Sequence, residues 1–256
     1  MAEEIERARR DPQRRLAGCL LLEPLQETKG TVLYRAWDEE TRRLAAVRVF
    51  PAAQELAPKQ LKTLKALRKL RAPGLATPRR YGVDRRRGAY VISSLPEGRL
   101  LASFRFKPKH VVLGLRDAAR IVHALNRRGF LHEAIQPAGI FLTEEGRGAV
   151  IDFGLGELLA PYVSSRFRAP EVLRGTADPR SEVYALGASF YFGLTRQPPG
   201  TGQVVPPRQL RGGIPRRIQE ICLRCLATEP GERYPTPGHL ASDLSEFLTT
   251  GERKRG

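Results

Sequence analysis

The stretch that decides the reading of this chain begins His132-Glu133-Ala134-Ile135-Gln136-Pro137-Ala138-Gly139-Ile140-Phe141-Leu142 and resumes at Val150-Ile151-Asp152-Phe153-Gly154. It reads as a loop, a short strand at 140–142, a tight turn at Glu145-Gly146 and a second strand that ends in Asp-Phe-Gly.

Outward from that stretch, 256 residues are enough to bury a sizeable core, and one domain of two parts suits the length. No run of about 18 apolar residues occurs, so no helix is expected to span a membrane. The opening Met1-Ala2-Glu3-Glu4-Ile5-Glu6 is acidic and polar, unlike a signal peptide, and three cysteines do not make a disulfide framework. These features lead to a reducing, cytoplasmic compartment as the expectation. Cys222-x-x-Cys225 is either a redox or metal pair or part of an apolar helical stripe with Ile218, Ile221 and Leu226. No second pair completes a zinc site, which favours the stripe. The net charge of +17 favours acidic partners: nucleic acid, an anionic membrane or an acidic protein face. An arginine-rich solvated surface accounts for it as well, and the aromatic-interleaved basic motif of a nucleic-acid module is missing.

Residues 1–16 read as a charged helix ahead of the fold. Strands are expected from Leu20-Leu21-Leu22, over 31–36 and over 45–50, with Asp38-Glu39-Glu40-Thr41 as the turn before the last. A helix over about 56–70 places Leu61, Leu64, Leu67 and Leu70 inward. Lys59, Lys62, Lys65 and Lys69 make it basic, a solvated face or a docking face. Two more strands, around 76–83 and 89–94, join at the charged tip Asp84-Arg85-Arg86-Arg87-Gly88. A long helix over 111–128 turns Val112, Leu115, Ala119, Val122 and Leu125 inward and closes on Gly129, with Arg127 and Arg128 at the negative end of its dipole. The segment 185–194 is apolar on all sides, and a last helix runs over 240–248.

In this order the elements resemble a protein kinase domain of the bacterial serine/threonine type. The opening stretch is similar to the catalytic loop H-R-D-x-x-x-x-N and the magnesium loop D-F-G, and Ala169-Pro170-Glu171 is similar to A-P-E. The segment 178–187 resembles the start of the family's central helix, with Glu182 in place of its anchoring Asp. The segment 227–235 resembles the family's closing motif. The resemblance covers residues 20–248. It implies an α+β, bilobal fold, with a small five-stranded antiparallel N-lobe plus one helix and a larger, mainly helical C-lobe. The boundaries it implies are 1–16 for the extension, 17–98 for the N-lobe and hinge, 99–250 for the C-lobe and 251–256 for a basic tail.

The positions that carry the family's chemistry differ. Ala134 stands for the catalytic Asp, Gln136 for a phosphate-contacting Lys, Gly139 for the second metal-binding Asn and Arg48 for the strand-three Lys. The three glycine-loop positions fall on Gln26, Thr28 and Thr31, with Gly30 out of register. The helix acid is Thr63, so the helix offers Arg48 no partner. Pro96 stands where a hinge N–H would meet adenine. The resemblance implies that Glu171 and Arg233 form an ion pair, and that His132, Phe153 and Leu67 form an internal spine. It also implies that Ala46 packs over a base, that Phe141 fills the adenine pocket, and that Asp152 binds magnesium only with ATP phosphates. Glu133 is a candidate substitute base, although its side chain is expected to point elsewhere. Ser164 and Ser165 are loop serines or a phosphorylation site. The expectation drawn from these losses is a non-enzyme, a regulatory or scaffold module without a cofactor beyond weak Mg-ATP. Its partner would be another protein, an active kinase or an acidic surface, docked on Lys59, Lys62, Lys65 and Lys69. The alternatives are a slow atypical serine/threonine kinase using Arg48, Glu133 and Asp152, or a nucleic-acid or anionic-membrane binder.

Overall fold

A computed structural model describes residues 1–28, 30–200 and 202–253. The chain divides into two units, residues 1–71 with 76–96, and residues 72–75 with 97 onward.

The first unit runs α1 (Ala2–Arg10), β1 (Arg15–Leu16), β2 (Cys19–Thr28), β3 (Thr31–Asp38), β4 (Arg43–Phe50), α2 (Pro58–Leu67), β5 (Pro78–Asp84) and β6 (Gly88–Ser94). Its strands form one antiparallel sheet in the order β1-β2-β3-β4-β6-β5, one strand more than expected. The extra strand, β1, is too short to show a sequence period. It exists because Arg15 and Leu16 pair with Leu20 and Cys19. Pro24 cannot donate to the ladder inside β2, and the register slips on either side of it. Leu21, Ala36, Ala45, Val47, Val49 and Ile92 close one core of the unit. Leu20 and Leu22, together with Trp37 and Leu44, pack against Ile5 and Ala8 of α1. Arg35 holds that helix down, reaching Glu4 at 2.6 Å while also meeting Glu23 at 2.7 Å. The 1–16 segment is thus part of the packing of the first unit.

On α2, Gln60, Leu64 and Leu67 are buried, whereas Leu61, expected inward, is 39% exposed. At about 100° per residue Leu61 lies roughly 90° from the centre of that buried stripe. The hairpin tip forms as expected, with Asp84 accepting from the N–H groups of Arg86 and Arg87 at 2.9 Å each.

The second unit runs β7 (Arg99–Leu100), α3 (Pro108–Asn126), β8 (Ile140–Leu142), β9 (Gly148–Val150), α4 (Gly156–Leu159), α5 (Pro179–Thr195), α6 (Pro207–Leu210), α7 (Arg216–Cys225) and α8 (Pro237–Arg253). The three strands form a small sheet in chain order. Helix α5 is its central element, buried nearly all round and packed on α3, α7 and α8. Asp178 starts it with a capping box, its side chain accepting from the Ser181 N–H at 2.9 Å. Arg196 ends it in the left-handed region and donates to the carbonyls of Leu101, Ala102 and Phe104. Cys222 and Cys225 lie in the buried stripe of α7, and burial pushes both thiols up. Of the 251–256 tail, residues 254–256 lie outside the described residues. Among the described residues no helix is long and apolar enough to cross a membrane.

Candidate active site

The site in the second unit is built outward from one buried carboxylate. Glu182 on α5 accepts from the backbone N–H groups of His132 and Glu133, the latter at 3.0 Å, and from Asn126 Nδ2 at 2.6 Å. Burial pushes its carboxyl up to about 7, even though these donors pull the other way. The clamp fixes His132, whose Nε2 lies 2.8 Å from the Ile151 carbonyl and whose ring centroid lies 4.4 Å from that of Phe153. Its Nδ1 accepts from the Ala134 N–H at 3.4 Å, so the neutral Nε2–H tautomer satisfies both contacts. Burial lowers the His132 pKa and favours the same form.

Two carboxylates flank this stack. Glu133 and Asp152 both have left-handed backbone, with φ of 62° and 69°. Side-chain-bearing residues rarely adopt that conformation, and persist in it where the surroundings over-determine it. Asp152 is buried directly before Phe153. Glu133 is exposed, and its carboxylate lies against Gly156. A Cβ added at Gly156 would stand 2.9 Å from Glu133 Oε2. Glu133 therefore leans toward the segment that follows Asp152-Phe153-Gly154.

Ala134 and Gln136 are buried, and Phe141 is buried within β8. Gly139 is buried too, yet a Cβ there would meet nothing within 4 Å. Glu133, Ala134, Arg168, Ala169, Ser181 and Glu182 enclose a cavity of about 20 Å³, room for one water. The Nε of Arg168 is buried without a partner among the described residues. Arg233 is fully buried and meets both Glu171 oxygens, at 2.5 and 3.0 Å, as well as the carbonyls of Ala227 and Thr228. Ser164 and Ser165 are exposed, and Ser164 Oγ accepts from the Arg166 N–H.

In the first unit Arg48 is 2% exposed on β4 and donates to Gln26 Oε1 at 2.9 Å. Gln26 pairs with Leu33, and Leu33 with Arg48, so the two polar residues stand in line across β3. One partner of Arg48 thus comes from a position that the resemblance assigned to the glycine loop. The other two such positions close the hairpin: Thr28 Oγ1 donates to the Thr31 carbonyl, and Thr31 Oγ1 to that of Val49. Thr63 Oγ1 bonds its own helix at the Lys59 carbonyl. Ala46 is buried on β4, and Leu67 is buried on α2.

The sequence reading missed three contributors: Gln26 as a partner of Arg48, Asn126 as a partner of Glu182, and Gly156 as the contact of Glu133. Cross-strand register was the available signal for Gln26. The other two depend on tertiary placement.

No protein-family model matches the chain. The tyrosine-protein kinase MasK of Myxococcus xanthus is 33% identical over 176 residues, 56% of this chain and 27% of that protein. The serine/threonine-protein kinase PknB of Mycobacterium tuberculosis is 28% identical over 162 residues, 54% of this chain and 26% of that protein. The solved PknI kinase domain of Mycobacterium tuberculosis superposes with a TM-score of 0.68 at 20% identity, covering 91% of this chain and 96% of that one. The chain has the protein kinase fold and is similar in sequence to bacterial protein kinases over a little more than half its length. The apo form of PpkA-294 superposes with a TM-score of 0.69 at 19% identity, covering 90% of this chain and 97% of that one. The chain spans about a quarter of the length of the curated relatives it matches.

The expectation of a non-enzyme is corrected by these relatives, which are named as kinases. That expectation treated missing side chains as missing chemistry. A general base, however, contributes a factor to the rate of phosphoryl transfer without being its sole source, and this kinase-family site retains its Asp-Phe-Gly.

Proposed function

We propose that the chain is an atypical, slow serine/threonine protein kinase domain that takes Mg-ATP. The observation that carries the reading is Asp152, buried in an Asp-Phe-Gly turn that the His132–Phe153 stack and the Glu182 clamp hold in place. The donor set suits magnesium that arrives on a nucleotide. Among the described residues no group of three metal-ligating side chains exists, and magnesium is commonly held by one or two carboxylates plus substrate phosphates. Asp152 would hold that ion, and the bound ion would neutralise charge developing on the phosphates. Phosphoryl transfer passes through a loose transition state in which the protein mainly positions groups and stabilises charge. Losing the base at Ala134 then slows turnover by about 10²–10⁴-fold. Glu133, on the same loop, is the carboxylate that remains to accept the proton of the acceptor hydroxyl.

The relatives named PknB support serine and threonine as acceptors, and the one named MasK makes tyrosine the competing outcome. Titration calorimetry with Mg-ATP, followed by phosphoamino-acid analysis after long incubation with labelled ATP, tests the reading. Binding that weakens in Asp152→Asn, with label on Ser or Thr, supports it. No heat and no label, or label on Tyr alone, would sink it.

A further inference from the structure

Lysine is scarce in this chain and unevenly placed. Only eight of the 44 Lys and Arg residues are lysine, and four of those eight fall between positions 59 and 69. Lys59, Lys62 and Lys65 recur every third residue on α2 and span about 120° of its circumference, opposite the buried Gln60, Leu64 and Leu67. Lys69 follows just past the end of the helix, and all four lysines are exposed. The sequence offers no acid between Glu55 and Asp84. Among the described residues Lys62, Lys65 and Lys69 form no ion pair. Like charges three and four apart on one face repel, so the helix carries a tension that an external anion would relieve.

We infer that this face is a docking surface for an acidic polypeptide segment. The choice of lysine in an arginine-dominated chain narrows the partner. Arginine's planar fork imposes a bidentate geometry on carboxylate or phosphate alike, whereas lysine is a hydrated point charge with three rotatable donors that imposes no fixed spacing on its acceptors. Such groups suit carboxylates at irregular spacing along a polypeptide better than a regular phosphate backbone or headgroup layer. Leu61, 39% exposed beside the stripe, adds an apolar contact that a peptide side chain can cover. Binding of this kind is steered by charge and sensitive to salt. It does not depend on phosphate transfer.

The test measures fluorescence anisotropy of a short labelled poly-L-glutamate, an oligodeoxythymidylate of equal length, and phosphatidylserine vesicles, each against the full chain. The variants are Lys62→Glu/Lys65→Glu/Lys69→Glu, the same three positions changed to Arg, and a control reversing the exposed Arg127, Arg128 and Arg174. Thermal melts confirm that each variant is folded. The expected result is poly-glutamate affinity that falls about tenfold or more in the lysine reversal, stays within about threefold in the arginine version, and falls less in the control. Equal losses in control and reversal, or no loss in the reversal, overturn the proposal. So does a reversal that weakens oligothymidylate or vesicle binding but spares poly-glutamate.

Discussion

At the scale of single residues, Ala134 and Gly139 stand where the resemblance puts a catalytic Asp and a second metal-binding Asn, and both have space beside them. Ala134 borders the small cavity beside Glu182, and a Cβ at Gly139 meets nothing within 4 Å. Ala134→Asp combined with Gly139→Asn should therefore fold and raise the rate of phosphate transfer by about tenfold or more, measured with labelled ATP. A folded double variant no faster than the parent would show that the loop is not the limiting defect. Glu182 makes a second prediction, on stability. Its carboxyl is raised from 4.5 to about 7, so the native state prefers the protonated form. That preference is fully felt below about pH 4.5 and is lost as pH rises through 7, a change of about 3 kcal/mol. Melting temperature should fall across that window in the parent and respond less in Glu182→Gln. The amide keeps an acceptor for the two backbone N–H groups and can donate to the unpartnered Asn126 Oδ1 after that amide rotates. Equal pH dependence in both proteins would mean that Glu182 stays ionised throughout.

At the scale of elements, the sheet of the first unit and its helical cover make their own predictions. The Gln26–Arg48 bond is partly buried and charge-assisted, and Gln26→Leu should lower stability by about 1–2 kcal/mol in urea unfolding, with an unchanged slope. No loss would show that Arg48 is held by other contacts. Deleting residues 1–10 should uncover Leu20, Leu22, Trp37 and Leu44, lower the melting temperature and create dye-binding apolar surface. A truncated chain that melts like the parent would show α1 to be dispensable. These elements also mark how far the sequence could be read. The strands around 45–50 and 140–142 were legible because apolar runs met turn residues on both sides. The strand β1 was not, since two residues carry no period and only pairing defines them. The exposure of Leu61 was missed because a stripe drawn through four leucines ignored the buried polar Gln60. The Glu133 contact was missed because it rests on left-handed backbone at 133, which an ordinary sequence of side chains does not announce.

At the scale of the whole molecule, the order of motifs from the loop at His132 to the Glu171–Arg233 pair was enough to point to the kinase fold that the solved kinase domains share. Function was harder to read, because the sequence shows which groups are missing but not how much rate the remaining ones sustain. The central claim is that Asp152 still serves phosphoryl transfer. It is tested most directly by incorporation of labelled phosphate from Mg-ATP, comparing the parent chain with Asp152→Asn at equal concentration over hours. The prediction is slow but measurable incorporation in the parent that drops to background in Asp152→Asn. Incorporation at background in both, or equal incorporation in both, would contradict it.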